Sequence, residues 1–525
     1  MSWDESGSYP LTGQAVPGVN DGTSPICGFH TERGRACRDT APLGATGKRT
    51  SGGNREALST VARRAVGPVH SSEEAPVMGV ERRGRTVQGE NCSGNQDSPG
   101  RDRADQPKQG EKPFGISKRE VWEAYQRVAA NKGAPGVDGI ALEAFEKDLK
   151  NNLYRIWNRM SSGSYFPPPV RAVPIPKKGG VRILGVPTIA DRIAQTVVAR
   201  RLEPRLEAIF HADSDGYRVG RSAIDAVAKC RERCWRTDWV IDLDVQKFFD
   251  SCPHDLIVKA VEANTDQRWI VLYVQRWLVA PLQHPDGSLE AREQGTPQGS
   301  AVSPCLANLF LHYAFDLWMA RTFPGIKFER YVDDAVVHCA TEREAQVVRD
   351  AIGQRMEQVG LRLHPDKTRT VYCQDSNRRA VYDTISFDFL GYTFRPRGAV
   401  NRRTGKMFTS FGPAMSRDKM TAKGAEVRRW RLHLRTGSTL NGLADYLNSI
   451  VRGWMTYWGH FNKSQMFDLL RRINAYLMRW ARKKYRRLRN QRRLQAWWQA
   501  LVARAPRLFA HWAWVTDCGL SFAGR

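Results

Sequence analysis

Three aspartates carry the clearest chemical signal in this sequence. Asp244 ends a short apolar run and precedes a pair of phenylalanines, whereas Asp333 and Asp334 end a Tyr-Val-Asp-Asp sequence. Neighbouring strand residues point to opposite faces, so a tight turn is needed to aim both of these acids at one place. Adjacent carboxylates repel unless a cation compensates, and Mg²⁺ prefers hard oxygen ligands, including phosphates. The acids indicate a site where two Mg²⁺ ions activate a hydroxyl and stabilise a leaving pyrophosphate, with a solvated acidic turn as the alternative.

Two glycine-containing segments could hold a phosphate-bearing ligand near these acids. The segment 295–304 reads Gly-Thr-Pro-Gln-Gly-Ser-Ala-Val-Ser-Pro and predicts a helix that begins near Ser303. Glycine lets the backbone approach a ligand closely, and a helix N-terminus favours an anion, although a plain turn and cap would have the same pattern. Lys177 and Arg182 flank a second glycine turn, where they could grip a triphosphate. Solvated side chains are the alternative there.

The elements that must position these residues are a mixture of helices and strands. Ser117, with Glu120 three residues later, predicts a capped helix start. Buried strands are predicted at 239–244 and in a hairpin at 328–339 with the paired acids at its tip. The other predicted elements are helices at 142–160 and 189–209, a strand-turn-strand at 170–187, and helices at 440–460, 464–490 and 491–504. The pattern indicates an α+β fold up to a boundary between 396 and 415, with a mostly helical region after about 410.

The basic charge of the chain is concentrated in its C-terminal quarter. The 525 residues carry a net charge of +27, and residues 401–525 alone hold 26 Lys and Arg against 5 Asp and Glu, or +21. That stretch also holds eight of the sixteen tryptophans. Basic side chains neutralise phosphates, and aromatic faces stack on bases or fill a core. A nucleic acid partner is therefore favoured over the alternative, a solvated basic helical surface.

The N-terminal region is predicted to be disordered or not part of the folded chain, the cysteines do not predict a zinc site, and the apolar pattern does not predict a membrane protein. Residues 1–112 contain 17 glycines and only three aromatic residues, so we expect them to be disordered, or to be an over-long start or a translated leader. Cys230 and Cys234 fit one helix face, but no second Cys or His pair is near them in the sequence, so a zinc site is not expected. The chain has no run of about eighteen apolar residues and no secretory signal, so we expect no membrane partner and a cytoplasmic location.

Taken in order, these segments resemble the reverse transcriptases encoded by bacterial group II introns. The resemblance covers about residues 113–515 and rests on several strings in register rather than on one. The strings are Gly136 to Gly139, Ile175 to Lys177 with Arg182 to Thr188, Asp244 with Phe248 to Ser251, Gly295 to Pro304, Tyr331 to Asp334, Leu363 to Thr368, Phe389 to Tyr392, Ile450 to Trp454, and Tyr457 with Trp458. The resemblance implies a right-hand polymerase fold with fingers, palm and thumb, and a mostly helical maturase domain.

The resemblance also implies roles for particular residues. Asp244, Asp333 and Asp334 match the catalytic, metal-binding aspartates, and Val245 is expected beside them as a metal ligand. The positions that match nucleotide-binding residues are Lys177, Arg182, Phe249, Gln298, Gly299 and Lys367. The positions expected to contact primer or template are Tyr331, Val332, Leu390, Gly391 and Tyr392. The positions expected to bind RNA are Arg452, Lys483, Lys484, Arg486 and Arg487, in helices whose Trp454 and Trp480 are predicted to be core.

Some of these implied roles are specific, and some have plain alternatives. Phe249 lies five residues after Asp244 and matches the aromatic that crowds the nucleotide 2′ position, which excludes ribonucleotides. Lys367 matches a lysine near the leaving pyrophosphate, although a salt-bridged surface lysine is the alternative. The segment 389–392 matches the primer grip, with an ordinary core strand as the alternative. Val332 departs from the pattern, because many relatives have Ala there.

The domains implied by the resemblance follow the chain in a simple order. They are a disordered extension at 1–112, an N-terminal and fingers region at 113–235, a palm at 236–400, a thumb and maturase domain at 401–505, and a tail at 506–525 that could be the remnant of a DNA-binding region. Many relatives end in an endonuclease that bears cysteine and histidine. Only Cys518 follows Trp514 here, so no such nuclease is expected.

The predicted function is that of an RNA-directed DNA polymerase and maturase with two Mg²⁺ ions, which Mn²⁺ could replace in vitro. Its expected partners are group II intron RNA, an RNA template with a DNA primer, target DNA and deoxynucleoside triphosphates, in the bacterial cytoplasm or nucleoid. One alternative is a splicing-only maturase with an inactive polymerase site, which the intact acids disfavour. Another is a reverse transcriptase of the retron or defence type, which the string at 450–458 disfavours.

Overall fold

The computed structural model describes residues 112–177 and 180–518. The segment that the sequence predicts to be disordered lies outside the described residues except for Lys112, and so do residues 519–525. The side chain of Lys177 is also outside the description. None of the helices in the described ranges combines the length and the apolar character that crossing a membrane requires.

The helices and strands alternate through the first two thirds of the described chain, as the sequence predicts. The helices are α1 (Lys118–Ala130), α2 (Leu142–Glu146), α3 (Leu149–Ser161), α4 (Ile189–Ile209), α5 (Ala223–Cys234), α6 (Phe248–Ser251), α7 (His254–Glu262), α8 (Arg268–Val279), α9 (Ser303–Leu311), α10 (Leu317–Thr322), α11 (Glu342–Gln358), α12 (Arg417–Arg429), α13 (Leu440–Trp458), α14 (Phe467–Lys484) and α15 (Gln491–Arg504). The strands are β1 (Val170–Lys177), β2 (Gly180–Val186), β3 (Trp239–Leu243), β4 (Leu282–Gln283), β5 (Leu289–Glu290), β6 (Lys327–Tyr331), β7 (Asp334–Cys339), β8 (Arg369–Tyr372), β9 (Phe387–Phe389), β10 (Tyr392–Val400) and β11 (Met407–Met415).

The N-terminal helices confirm one sequence prediction and correct another. The Glu120 N–H donates to Ser117 Oγ at 3.2 Å and the Ser117 N–H donates to Glu120 Oε2 at 2.9 Å, so the predicted capping box is present. The single helix predicted at 142–160 is wrong, because the chain forms α2 and α3 there. Asp148 interrupts them with φ −126° and ψ 44°, outside the helical region.

The palm sheet has the strand order β6-β7-β3-β8, and all of its pairings are antiparallel. The predicted strand at 239–244 is β3, a central strand whose residues are mostly buried. The predicted hairpin at 328–339 is β6 and β7, with the paired acids at its turn. Since β3 pairs directly with β7, the end of β3 and the tip of this hairpin lie at the same edge of the sheet.

A second sheet has the strand order β2-β1-β4-β5, so it joins strands from the proposed fingers region, 113–235, to strands from the proposed palm region, 236–400. The β1–β2 hairpin confirms the predicted strand-turn-strand and pairs Ile175 with Arg182. The following helix α4 has the predicted bounds, and α9 begins at the predicted Ser303. The Gly185 N–H donates to the Gln298 carbonyl at 2.7 Å, which joins the hairpin to the loop before α9.

The third sheet connects the palm to the helical region, with the strand order β11-β10-β9. The boundary proposed between 400 and 401 lies at the turn between β10 and β11, and the next helix begins at Arg417. The continuous helix predicted at 464–490 is wrong. The chain has a 3-10 turn at Lys463–Met466, then α14, then an extended Tyr485 and a second 3-10 turn at Arg486–Leu488.

The segment that follows α15 packs against the helical region through buried side chains. Phe509, His511 and Trp512 are almost completely buried. The side chain of Asn474 in α14 donates to the Asp517 carbonyl at 2.7 Å and accepts from His511 Nε2 at 2.7 Å. The part of the proposed tail up to about residue 518 is therefore part of the helical core.

Candidate active site

Asp244 lies immediately after β3, where the central strand of the palm sheet ends. The segment after α11 holds its backbone. The His364 N–H donates to the Asp244 carbonyl at 2.7 Å, and the Asp244 N–H donates to Thr368 Oγ1 at 3.3 Å. An antiparallel bridge joins Val245 to Leu363 at the same place. The first acid therefore stands on a backbone that a neighbouring segment fixes in position.

Val332 and Asp333 form the two-residue turn of the β6–β7 hairpin. Tyr331 pairs with Asp334 across the turn, so the two acids leave the tip on consecutive residues. Val332 has φ of +62°, a conformation that a β-branched residue rarely adopts. Such a conformation costs on the order of 1–2 kcal/mol for a residue with a Cβ. The turn therefore depends on tertiary contacts, more so with Val than with a smaller residue.

Arg330 makes contacts that hold this turn, and its side chain is completely buried. Its Nε and Nη2 donate to the two carboxylate oxygens of Asp316 at 2.7 and 2.6 Å. Its Nη1 donates to the Val332 carbonyl at 2.9 Å and to Asn308 Oδ1 at 3.0 Å. Charge-assisted, bidentate bonds of this kind are strong and directional. The network offsets the strain at Val332 and fixes the direction of the acids that follow.

Gly216 lies against the other side of the same turn. A Cβ at Gly216 would lie 2.6 Å from both the backbone nitrogen and Cγ2 of Val332, closer than real Cβ contacts permit. The loop that carries Gly216 also pairs with β6, because the Asp215 N–H donates to the Arg330 carbonyl at 2.9 Å. Glycine is therefore required at 216 by the close approach of two backbones.

A cleft of about 740 Å³ opens at this edge of the palm sheet, between the acids and the β1–β2 hairpin, which we call the finger hairpin. It brings together sequence-predicted residues that are far apart in the chain. The predicted residues that line it are Arg182, Asp244, Val245, Phe249, Gln298, Asp333 and Lys367. These predicted residues alone bring two carboxylates, two cations and a buried aromatic ring to one space, which suits a charged nucleotide.

Two of the predicted metal-binding and nucleotide-binding residues, Asp334 and Gly299, do not line this cleft. Asp334 begins β7 and is exposed beside it. Gly299 has φ of +111°, and a Cβ there would lie 2.6 Å from the Gly185 carbonyl oxygen, so its role is to let the loop pack on the finger hairpin. Lys177 ends β1 opposite Gly180, and the position of its side chain stays a prediction.

The donor set at the acids fits a hard divalent cation. Lys367 Nζ lies 2.7 Å from Asp244 Oδ2, so a positive charge already compensates this carboxylate. Two backbone hydrogen bonds flank Val245, from the His364 N–H to the Asp244 carbonyl and from the Gln246 N–H to the Arg362 carbonyl. Neither of them involves the Val245 carbonyl. Carboxylate and carbonyl oxygens at the mouth of an open cleft suit Mg²⁺, which keeps positions for water and phosphate.

Phe249 and Gln298 also line the wall of the cleft. Phe249 is buried against Phe248, with ring centroids 5.3 Å apart, and its carbonyl accepts from the Thr296 N–H at 2.7 Å. Gln298 Nε2 donates to Asp250 Oδ1 at 3.3 Å. Burial raises the pKa of Asp250 above its usual range, and the bond from Gln298 only partly opposes this effect. The wall is therefore rigid, with polar groups close to a fixed aromatic ring.

The cleft has further polar lining that sequence reasoning did not single out. Lys247, Asp250, Arg292 and His364 all line it. Arg292 donates to backbone carbonyls, including that of Ala280 at 2.6 Å, and burial lowers its pKa to about 10. His364 could have been found from the sequence, because it lies in the segment 363–368 that carries part of the family resemblance. For Arg292, nothing in the local pattern distinguishes it from a surface arginine.

The proposed primer-grip segment forms a two-residue turn between β9 and β10. Leu390 and Gly391 have φ of +51° and +79°, as tight hairpin turns require. Tyr457 of α13 donates from its hydroxyl to the Leu390 carbonyl at 2.7 Å, and the Tyr392 hydroxyl donates to the Tyr457 carbonyl. The side chains of Leu390 and Tyr392 are buried. Any contact of this turn with a primer would therefore use its backbone, and α13 fixes its position.

The basic residues proposed to bind RNA divide into two groups. Arg452, Lys483, Arg486 and Arg487 are exposed. Lys484 is half-buried and donates to the Ser438 carbonyl at 2.6 Å, with its ammonium 5.3 Å from the ring centroid of Trp480. Its contacts are therefore internal. Trp454 and Trp480 are buried as predicted.

Two family matches cover most of the described chain. Residues 175–394 match the family described as "Reverse transcriptase (RNA-dependent DNA polymerase)". Residues 420–498 match the family described as "Group II intron, maturase-specific domain". The first match contains the cleft and the three predicted catalytic acids, and the second contains the exposed basic residues.

Three curated relatives match parts of this chain, and two of them are named as intron proteins. Protein YkfC of Escherichia coli K12 is 30% identical over 313 residues, in a match that covers 51% of this chain and 78% of the relative. The group II intron-encoded protein LtrA of Lactococcus lactis is 30% identical over 280 residues, covering 51% of this chain and 46% of LtrA. The putative COX1/OXI3 intron 1 protein of Saccharomyces cerevisiae is 31% identical over 199 residues, covering 37% and 23%. The matched region thus spans less than half the length of LtrA.

Proposed function

Because the chain belongs to the family of group II intron reverse transcriptases and maturases, we propose that it copies intron RNA into DNA and binds that RNA to promote splicing and mobility. The observation that carries the polymerase half is the meeting of Asp244, Asp333 and Phe249 in one cleft. Asp244 and Phe249 follow β3, whereas Asp333 comes from the distant β6–β7 turn, and this convergence is what a metal-assisted nucleotidyl transfer needs.

Each of the predicted catalytic, metal-binding and nucleotide-binding residues has a role in this proposal. Asp244, Asp333 and Asp334, with the Val245 carbonyl, would hold two Mg²⁺ ions. When bound, these ions supply activation of a primer 3′-hydroxyl and charge stabilisation at the leaving pyrophosphate. Lys177, Arg182 and Lys367 neutralise the triphosphate, and Gln298 and the loop at Gly299 contact the base pair. Phe249 fills the space beside the sugar and so favours deoxynucleotides.

The maturase half rests on the basic helical region. Exposed cations on α13, α14 and the turn after α14 repel each other unless a polyanion neutralises them. RNA recognition relies on shape, phosphates and unpaired bases, which such a surface can contact. The bond from Tyr457 to the Leu390 carbonyl joins this region to the primer-grip turn. We therefore propose that one rigid unit grips both the intron and the primer, in the bacterial cytoplasm or nucleoid.

A primer-extension assay on poly(rA) with an oligo(dT) primer tests the polymerase half against the splicing-only alternative. We expect Mg²⁺-dependent DNA synthesis that Asp333→Asn removes. A chain that binds its intron RNA but extends no primer would support the alternative. Sequencing of the RNA that co-purifies with the chain tests the maturase half, because a reverse transcriptase of the retron or defence type would not enrich a group II intron. The match at 420–498 already disfavours that type.

A further inference from the structure

The palm sheet carries a second cluster of potential metal ligands, which has no part in the nucleotide cleft. Cys230 and Cys234 lie one turn apart on α5 and are both completely buried. α5 packs against β6 and β7, which carry Glu329 and His338. The sequence predicts no partner for the cysteine pair, because Glu329 and His338 are about 100 positions away in the chain.

Glu329 and His338 present their side chains to α5 from neighbouring strands. Glu329 pairs with Val336 across the hairpin, so His338 lies two residues further along β7. Residues two apart on a strand share a face. The Cys230 sulfur, a Glu329 carboxylate oxygen and a His338 ring nitrogen all lie within 4.8 Å of one another. The Cys234 thiol is outside this group of three but adjoins it, through hydrogen-bond contacts with Cys230, Cys373 and His338.

The cluster is charged in the described state. His338 Nε2 lies 2.5 Å from Glu329 Oε2, and Arg233 Nη1 donates to Glu329 Oε1 at 2.7 Å. Burial lowers the pKa of His338, but its attraction to Glu329 outweighs this effect and raises the pKa to about 10. Burial raises the pKa of the Cys230 and Cys234 thiols to about 12. The buried ion pair of Glu329 and His338 contributes little net stability by itself. It therefore does not explain why two thiols lie beside it.

We propose that Cys230, Cys234, Glu329 and His338 bind one structural Zn²⁺ ion. Two thiolates, an imidazole and a carboxylate make a four-coordinate set of the kind that zinc accepts. Soft thiolates also select zinc over Mg²⁺, the hard cation expected in the nucleotide cleft. Arg233 remains on the second oxygen of Glu329 and orients that carboxylate, as outer partners of metal ligands commonly do.

Zinc binding changes the net charge of this cluster by one unit. Before binding, Arg233 and His338 are positive, and Glu329 and Asp213, which pairs with Arg233 at 2.8 Å, are negative, so the cluster is neutral. Zinc binding releases three protons to solvent, one from each thiol and one from the imidazolium. The ion adds two charges, so the occupied cluster carries one net negative charge. Because all four side chains are buried, the metal enters as the chain folds.

The proposed ion would fasten α5 to the hairpin that carries the catalytic turn. Glu329 is adjacent to Arg330, whose side chain holds the Val332 carbonyl. The ion would thus restrain the palm through residues that do not line the cleft, without contacting a nucleotide. Cys373 contacts the Cys234 thiol but is not needed in this ligand set.

Metal analysis of the full-length chain tests the proposal. The chain is purified from cells grown with added zinc, passed through a chelating buffer, and analysed for zinc by mass spectrometry. We expect about one zinc per chain, and its loss in Cys230→Ser/Cys234→Ser. Cys339→Ala is the matched control, because Cys339 is equally buried and follows His338 on β7 but faces the other side. Cys373→Ser should also keep the zinc.

A second measurement covers the case in which the double variant does not fold. The unaltered chain is refolded with Co²⁺ in place of zinc, and its absorption spectrum is recorded. Thiolate-to-cobalt charge-transfer bands with the intense visible bands of tetrahedral Co²⁺ would support the site. A folded, active chain that contains no zinc and shows no such bands would overturn it. Loss of zinc in Cys339→Ala or Cys373→Ser to the same extent as in the double variant would overturn this ligand set.

Discussion

Lys367 Nζ lies 2.7 Å from Asp244 Oδ2, so a lysine occupies one oxygen of the carboxylate that the proposed metal ions need. Lys367→Met should therefore lower the Mg²⁺ concentration for half-maximal primer extension by up to about fivefold, the equivalent of the ~0.2–1 kcal/mol of a partly exposed ion pair. The maximal rate should fall, because a charge near the leaving pyrophosphate is lost. Lys327→Met, at an exposed lysine on β6, is the control. A higher Mg²⁺ requirement in Lys367→Met would contradict this competition.

Asp333→Asn should reduce DNA synthesis to background and leave intron RNA affinity within a few-fold. The substitution removes a carboxylate from the cleft without a change in size, and the basic helical surface is not touched. Primer extension and filter binding are measured on the same preparation. Retained synthesis within about tenfold, or about 1.4 kcal/mol of barrier, would rule out a metal-ligand role.

Phe249→Ala should increase ribonucleotide incorporation relative to deoxynucleotide incorporation. Phe249 is a buried ring at the wall of the cleft, so its truncation opens space beside the sugar. The same truncation leaves a cavity and destabilises the fold by about 3–5 kcal/mol. Phe310→Ala controls for that loss, because Phe310 is equally buried but does not line the cleft. Unchanged sugar selectivity in a folded Phe249→Ala chain would count against the filter.

Arg330→Met should lower the free energy of unfolding by about 3–5 kcal/mol, because it leaves the buried Asp316 carboxylate without its bidentate partner. It should also lower primer extension, because the Val332 carbonyl loses a donor. The double variant Arg330→Met/Asp316→Leu should regain much of the stability but not the activity. Urea unfolding followed by tryptophan fluorescence provides the comparison. Equal recovery of both properties would mean that Arg330 does not position the turn.

Replacing Lys483, Arg486 and Arg487 with Gln should weaken intron RNA binding and flatten its salt dependence. Each phosphate contact contributes about 0.7–0.9 to the slope of log affinity against log salt, so three contacts predict a decrease of about 2–3. Primer extension on a short generic duplex should fall much less. Lys484→Gln is the matched control. It should mainly lower stability, because Lys484 donates to the Ser438 carbonyl.

Equal losses of RNA binding and primer extension in the triple variant would assign these residues to the grip on the duplex instead. No loss in either assay would make them a solvated face. The sequence does not distinguish Lys484 from Lys483, Arg486 and Arg487 as an RNA ligand. The structure does, because Lys484 donates to the Ser438 carbonyl and lies over the ring of Trp480.

The sequence by itself determined the elements that local chemistry controls. Local patterns of apolar residues identified β3, the β6–β7 hairpin and α4, and the capping residues Ser117 and Glu120 identified the start of α1. The order of the short motifs was enough to indicate the family and the residues of the cleft. These features depend on residues close together in the chain, where spacing and side-chain type decide the outcome.

Tertiary structure decided what depends on contacts between distant segments. Asp148 and Tyr485 interrupt helices that periodicity alone would continue, and Arg330 holds a strained Val332 through partners on other elements. The cysteine pair on α5 had no partner in the sequence, yet the fold places Glu329 and His338 beside it. A sequence pattern shows which face of an element is apolar. Which side chains meet across two packed faces depends on register and on the direction of the chain, and these are fixed only when the sheet forms.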